Sequence, residues 1–339
     1  MYEILCDEKV LFNCLIECRK NVHWKRSVRL YTLYSIANIA KLASKMRDRK
    51  WMFEKHKEFI IKDRGKVRHV QALSMDERII QKALRQYILD KLLTTTLIYD
   101  SGATVKGKGV DFARKRIVQH LRKYYAKHGN NGYVLQIDIR SYFSSIDHNI
   151  LLSMLNKKIK DTDVLGLISE SMSLYEHGLC LGSEMNQILS TWYLSPLDHI
   201  CKERFRIKYY GRYMDDIYIL HESKEYLESV LLAITDKLSE LGLRLNDSKT
   251  MIIPISRGFT YMKVFYKYTA TGRIIRRYGK HQLKKLNNKL AKMSSKNIDS
   301  KRLYTEYKSW RNNIRRYDSR SVIKRADAIY NKHILKEVI

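Results

Sequence analysis

Prolines are scarce: Pro196 and Pro254 are the only two in 339 residues. No stretch rich in Gly, Ser and Pro breaks the chain, and no repeat or low-complexity segment is visible. Flexible linkers between independent domains are therefore not expected. No run of about 18 uncharged apolar residues occurs, so no transmembrane helix is expected. The opening stretch MYEILCDEKVLF has no basic segment ahead of an apolar one, and no secretory signal is expected either. The five cysteines, Cys6, Cys14, Cys18, Cys180 and Cys201, are odd in number and form no CxxC pair. Reduced thiols in a cytoplasmic protein are expected, rather than disulfides or zinc. The most telling deficit is acidic charge. Only 35 Asp and Glu face 65 Lys and Arg, a formal net charge of +30. Such a field repels itself in a compact chain until a polyanion neutralises it. Nucleic acid is the expected partner. A membrane surface would ask for one basic amphipathic helix, whereas here the charge runs the whole length.

What is present is the composition of a folded protein, with 45% hydrophobic residues. Residues 1–60 read as mostly helical, with apolar positions at helical spacing in LYTLYSIANIAKL. Apolar arms at Ile60–Ile61 and Val67–Val70 flank a DRGK turn, which predicts a hairpin. MDERIIQKALRQYILDKLL reads as a helix capped by Ser74. YVLQIDIRSYF, residues 133–143, reads as a buried strand carrying Asp138, and Asp147 caps the helix that follows. GLCLGSEMNQILSTWYLSPLDHI reads as a Gly-flanked turn and then a helix. In YGRYMDDIYIL two short β-rich arms enclose the only Asp-Asp pair of the chain. KEYLESVLLAITDKLSELGL is an amphipathic helix with Gly242 as its stop. A strand, LRLNDSKTMIIPI, and a hairpin, FTYMKVFYKYTATGRIIRRY, follow. The last 59 residues hold 16 Lys and Arg against 5 Asp and Glu and read as helices. After residue 130 the order is β-α-β-β-α-β, a split ferredoxin-like arrangement. It makes the strand of Asp138 a neighbour of the hairpin that carries Asp215 and Asp216.

Three converging carboxylates in so basic a chain require compensation, because buried like charges repel. Divalent metal supplies it. Hard cations take oxygen ligands, and two ions about 4 Å apart clamp the attacking and leaving oxygens of a phosphoryl displacement. Asp147, Asp161 and Asp163 read instead as surface acids or turn formers.

RYMDDI resembles the YxDD box of reverse transcriptases. Further segments match that family in order. QIDIRSYFSSIDHNILLSML is similar to its first palm motif. GLCLGSEMNQILSTWYLSPLDH is similar to its Gly-flanked turn and helix, and GLRLNDSKT to the segment that follows. Upstream, RGKVRHVQALSMDERIIQKAL and YDSGATVKGKGVDFA resemble two fingers motifs. The likeness runs from about residue 60 to 270, and its motifs are closest to those of bacterial reverse transcriptases of group II intron-like lineage. Among these, diversity-generating retroelement and unclassified, defence-associated enzymes are nearest.

The resemblance implies an α+β right-hand polymerase fold. A helical N-terminal extension would occupy 1–60, fingers 61–132, palm 133–270 and a basic helical thumb 271–339. It implies an RNA-directed DNA polymerase. Asp138, Asp215 and Asp216, with the backbone carbonyl of Ile139, would hold two Mg²⁺ ions, with Mn²⁺ as an alternative. Phe143 and Gln187 would meet the incoming dNTP, with Phe143 crowding a 2′-hydroxyl. Lys66 and Arg68 would grip the triphosphate, bidentate work that Arg suits, and Lys249 would protonate leaving pyrophosphate. Lys106 and Lys108 would touch template backbone. The implied partners are an RNA template, cDNA and dNTPs. A noncoding RNA, a small helical accessory protein and a second copy of the chain are further expectations, and no membrane is. No maturase, endonuclease or RNase H segment is expected. The family pattern is broken at Leu181, where Gln is frequent, at Asn186, where Ser is usual, and at Tyr261–Lys263, in place of a Phe-Leu-Gly primer grip. Two other readings stand beside this one: a nucleic-acid-binding assembly protein that keeps the fold alone, and an RNA polymerase of similar palm. Phe143 weighs against the second.

Overall fold

The computed structural model describes the chain except for residues 55–57, 64–65, 181, 279–280, 296–298 and 336–339. Side chains at 58, 62–63, 66–69, 71, 281 and 334–335 are likewise outside the described set. Two units emerge, each built from separated stretches of sequence.

The first unit contains 1–113, 137–217 and 225–251. Its N-terminal part is helical as expected, with helices Glu8–Arg19, Arg26–Leu33 and Ser35–Arg47. Strands β1 (Glu58–Asp63) and β2 (Lys66–Gln71) form the expected antiparallel hairpin. The next helix, Met75–Ala83, starts where the sequence places a cap. Ser74 accepts from the Glu77 amide while Glu77 accepts from the Ser74 amide, a reciprocal capping box. Asp147 caps His148–Asn156 by accepting from the Ile150 amide at 2.9 Å. Asp161 caps Thr162–Ser173 in the same way and also takes the amino terminus at 2.8 Å, so it is a structural acid. Gly242 ends the helix Lys224–Glu240 at φ 66°. There the Leu243 amide donates to the Leu238 carbonyl at 2.8 Å, a Schellman closure.

The strand expected over 133–143 is shorter. Strand β3 is Tyr133–Ile137 and stops one residue before Asp138. Ser141 takes a left-handed conformation, φ 48°, and starts a 3₁₀ turn over Tyr142–Ser145. Ile139, Tyr142 and Phe143 carry the strand signal on to residue 143, but that turn ends it. Strands β4 (Tyr210–Tyr213), β5 (Asp216–His221) and β6 (Met251–Pro254) complete a four-stranded sheet of order β4-β5-β3-β6. That is the split ferredoxin-like order, and it sets β3 beside β5.

The second unit contains 114–136, 218–224 and 252–339. It holds a three-stranded antiparallel meander where one hairpin was expected: β7 (Phe259–Tyr261), β8 (Val264–Tyr268) and β9 (Ile274–Tyr278). Met262 and Lys263, expected within a hairpin arm, are instead the two-residue loop between β7 and β8. Both have positive φ, the pattern of the tight turn that matches strand twist. Arg114 donates to the Met262 carbonyl at 2.8 Å and to the Tyr317 hydroxyl at 2.9 Å. Three C-terminal helices, His281–Ser294, Ser300–Ile314 and Arg320–Leu335, bear out the helical reading of the basic tail. They bury a small core of Leu286, Leu290, Met293, Leu303 and Ala326, with Tyr307 stacked on Tyr330 at 4.2 Å. Among the described residues no helix is long and apolar enough to cross a membrane. All five cysteines are free thiols.

Candidate active site

Asp138 stands at the end of β3. Its backbone is fixed by the segment that leads to β6: the Asn246 amide donates to the Asp138 carbonyl at 2.8 Å, and the Arg140 amide to the Arg244 carbonyl at 2.9 Å. These two bonds make the Ile139–Leu245 bridge and leave the Ile139 carbonyl out of it. One oxygen of the Asp138 carboxylate, Oδ2, accepts from Asn246 Nδ2 at 2.7 Å and from Lys249 Nζ at 2.8 Å. The hydrogen bond to Asp138 raises the Lys249 pKa; partial burial opposes it, and the charges of Asp138, Asp215 and Asp216 add to it. Lys249 therefore sits in the field of all three candidate acids and keeps its proton.

Asp215 and Asp216 come from the β4–β5 hairpin. Met214 and Asp215 form its two-residue loop, and Asp216 opens β5. Met214 has φ 54°, a region that favours glycine at the first position of such a loop. Two neighbours hold it there. Arg212 Nη1 donates to the Met214 carbonyl at 3.2 Å, and the Thr191 hydroxyl lies 3.3 Å from the Met214 sulfur.

Arg212 was not singled out by the sequence reading, yet it organises this hairpin. Its side chain has 0% exposure, as does that of Asp198. Arg212 Nε and Nη2 grip the Asp198 carboxylate at 2.7 and 2.5 Å, and Nη2 also donates to the Thr191 carbonyl at 3.0 Å. The Tyr210 hydroxyl donates to the same carboxylate. Burial opposes the guanidinium charge, but the Asp198 carboxylate outweighs it and holds the Arg212 pKa above its ordinary value. The sequence signal was a charged pair, Asp198 and Arg212, each embedded in an apolar run.

Phe143 lies in the 3₁₀ turn after Asp138, half-buried, edge-on to the buried Tyr142 at 5.5 Å. Its carbonyl accepts from the Leu179 amide at 2.7 Å. Gly178, with φ +72°, allows this approach: a Cβ there would come within 2.4 Å of the Phe143 carbonyl oxygen and the Ser144 Cα. His148 Nε2 holds the Gly178 carbonyl at 2.6 Å. The GLCLG turn is thus fastened to the Phe143 turn, although Leu181 itself lies outside the described residues. Gln187 is exposed on helix Glu184–Tyr193, one residue beyond Asn186. Asn186 is buried and donates to the Cys180 carbonyl at 3.2 Å, so this departure from the family pattern ties the turn down. Lys66 and Arg68 occupy alternate positions of β2, hence one face of it, but their side chains lie outside the described set. Lys108 is held by its own loop. Its ammonium donates to the carbonyls of Tyr99 and Ser101, at 2.7 and 3.2 Å.

The donor chemistry suits a hard divalent cation, since all three acids offer carboxylate oxygens. Asp138 follows directly on β3 rather than lying within it, Asp215 lies in the β4–β5 loop, and Asp216 opens the neighbouring β5. The closed ligand set is not assembled. Among the described residues, no group of three or more His, Cys, Asp and Glu side chains is gathered closely enough to hold a metal ion. Lys249 and Asn246 take up the Asp138 carboxylate instead.

Three comparisons bear on this geometry. No curated protein matches the chain. Among solved structures, the chain is similar to telomerase from Candida albicans in complex with a TWJ fragment of telomeric RNA. The TM-score is 0.53 at 12% identity, over 91% of this chain and 60% of the other. The chain thus spans about three-fifths of the length of that relative. At such identity the likeness speaks for the fold, a right-hand polymerase of mixed helix and sheet. Residues 54–264, which contain Asp138, Asp215, Asp216 and Lys249, match the family described as reverse transcriptase (RNA-dependent DNA polymerase). The match covers more than half of the sequence and every motif from the β1–β2 hairpin to the β7–β8 loop, and so the chain belongs to the reverse transcriptase family.

Proposed function

We propose that the protein is an RNA-directed DNA polymerase that copies a dedicated RNA template into cDNA by two-metal phosphoryl transfer. One observation carries the reading: Lys249 Nζ donates to Asp138 Oδ2 at 2.8 Å just past the end of β3, beside the strand that Asp216 opens. A scaffold that only bound nucleic acid would have no use for three acids and a lysine converging on one sheet end. Reverse transcriptases generally use divalent metal ions, and here Asp138, Asp215, Asp216 and the Ile139 carbonyl would hold two Mg²⁺, or Mn²⁺. Bound there, the ions would supply charge neutralisation for attacking and leaving oxygens.

The chain's own residues have distinct tasks. The primer 3′-hydroxyl loses its proton to solvent as its oxygen attacks the α-phosphorus of a dNTP, and the bond to pyrophosphate breaks. Lys249 holds a proton at Nζ for that leaving group. Lys66 and Arg68 bind the triphosphate, and Gln187 lies against the incoming nucleotide. Phe143 fills the space a 2′-hydroxyl would need. On this reading the fingers, palm and thumb follow the bounds 61–132, 133–270 and 271–339, after a helical extension over 1–60. The setting is a bacterial retroelement or antiphage defence system. A noncoding RNA, a small helical protein or a second copy would complete it.

Primer extension on an RNA template with dNTPs and Mg²⁺ tests the proposal directly. Product is expected, and its absence with intact RNA binding would favour the assembly-protein reading. Phe143→Ala is expected to raise incorporation of ribonucleotides relative to deoxynucleotides at least tenfold, read by competing the two in one extension assay. An unchanged ratio would make Phe143 a packing residue only. The charge of +30 predicts a second result. RNA affinity should drop by orders of magnitude between about 50 and 200 mM salt, because phosphate contacts release counterions. A flat salt response would exclude electrostatic capture.

A further inference from the structure

Away from the acids, the N-terminal helices enclose an open hollow of about 1040 Å³. Arg19, Lys20, His23, Arg29, Trp24 and Leu33 line much of it, and no acid does. Lys20 pairs with the exposed Glu17, but among the described residues no carboxylate pairs with Arg19 or Arg29. Trp24 is 69% exposed. Trp51 and Trp192 are buried and Trp310 is partly so, which makes Trp24 the one tryptophan facing solvent. Its indole is not adrift. The Nε1–H donates to the Asn21 carbonyl at 3.3 Å, from a turn in which Asn21 has φ 62°. The ring edge is thereby anchored, and the Lys25 ammonium stands over the ring, 5.7 Å from its centre, while most of the side chain remains exposed.

A base that stacks on a large aromatic surface already held in place binds roughly tenfold or more tightly for it. Cations without carboxylate partners suit phosphate. We infer that this hollow is a second RNA site, which stacks one unpaired base on Trp24 and takes the adjoining phosphates on Arg19 and Arg29. Leu33 provides the apolar wall beside the base. The site rests on the reading of the protein as one that handles RNA, but it uses none of the residues proposed for polymerisation. It would hold a single-stranded stretch of the bound RNA away from the growing end.

The test uses the full-length protein and a labelled, unstructured RNA oligonucleotide. Binding is expected to quench the exposed tryptophan emission, and Trp24→Phe should abolish the quench with affinity kept within about threefold. Trp24→Ala should weaken binding roughly tenfold or more, with no such loss for a fully paired duplex. Replacing Arg19 and Arg29 together by Gln should lower the slope of log affinity against log salt by about 1.4. Primer extension on a pre-annealed, saturating template–primer should persist in Trp24→Ala. A quench that survives Trp24→Phe, or an unaltered affinity in Trp24→Ala, would overturn the site. So would a change of mass in light scattering for Trp24→Ala, which would mark the surface as a contact between copies. Failure of the wild-type protein to extend a primer, with the quench intact, would count against the polymerase reading and leave this site standing.

Discussion

Asp215→Asn is expected to abolish dNTP incorporation while leaving RNA affinity and folding close to wild type. The substitution keeps the shape of the side chain and removes one negative charge at the head of the hairpin. Asp215 lies in the two-residue β4–β5 loop, half-buried, so an amide can replace the acid without disturbing strand packing. The chemistry has no such tolerance. A carboxylate that holds a divalent ion against a triphosphate is worth several kcal/mol in the transition state, and each 1.36 kcal/mol is tenfold in rate. A loss of roughly a thousandfold or more is therefore expected in primer extension. Fluorescence anisotropy with labelled RNA should show affinity within about threefold of the parent, and circular dichroism an unchanged fold. Near-normal synthesis by Asp215→Asn would remove the acid from the candidate active site.

Arg212→Ala is expected to have the largest effect on stability. It leaves the Asp198 carboxylate buried at 0% exposure without its guanidinium. Breaking a buried pair by removing one partner costs about 3–5 kcal/mol, because the remaining charge is uncompensated. The same change frees the carbonyls of Thr191 and Met214. Urea unfolding should show a lower midpoint with little change in slope. Replacing Arg212 and Asp198 together by apolar residues of similar volume should recover most of the loss, since such swaps are often neutral or stabilising. A cost below about 1 kcal/mol for Arg212→Ala would mean that water reaches Asp198. If the double replacement restores stability but not polymerisation, the arginine's hold on the loop is a functional matter as well.

Local chemistry made much of this fold legible. The cap of Ser74, the cap of Asp147 and the stop at Gly242 each announce a helix end through a side chain or a missing one. The order of the four-stranded sheet followed from alternating helical and strand patterns. The ends of strands were less visible. Nothing in YVLQIDIRSYF shows that β3 stops at Ile137, because apolar content continues into a 3₁₀ turn whose cause is the left-handed Ser141. Likewise Met262 and Lys263 read as strand, for neither is a usual residue in a left-handed turn. In the site, the acids stood out by their improbable surroundings. The contacts that fix them did not, although Lys249 itself was named for another task. Asn246 and Lys249 reach Asp138 from a distant segment, and Arg212 finds Asp198 only once Tyr210–Tyr213 has turned back onto the preceding helix. Long-range pairing of that kind has no periodicity to betray it.

Met214 carries a consequence for how this sequence can change. A non-glycine residue held at φ 54° costs on the order of 1–3 kcal/mol. Glycine would relieve that cost and would also free the loop to wander. Stability and aim thus pull in opposite directions at one position. A population of variants screened for heat resistance alone would gain from Met214→Gly and drift away from the geometry that keeps Asp215 and Asp216 pointed. Only a screen that also rewards synthesis would keep a side chain there, with its sulfur against Thr191 and its carbonyl under Arg212.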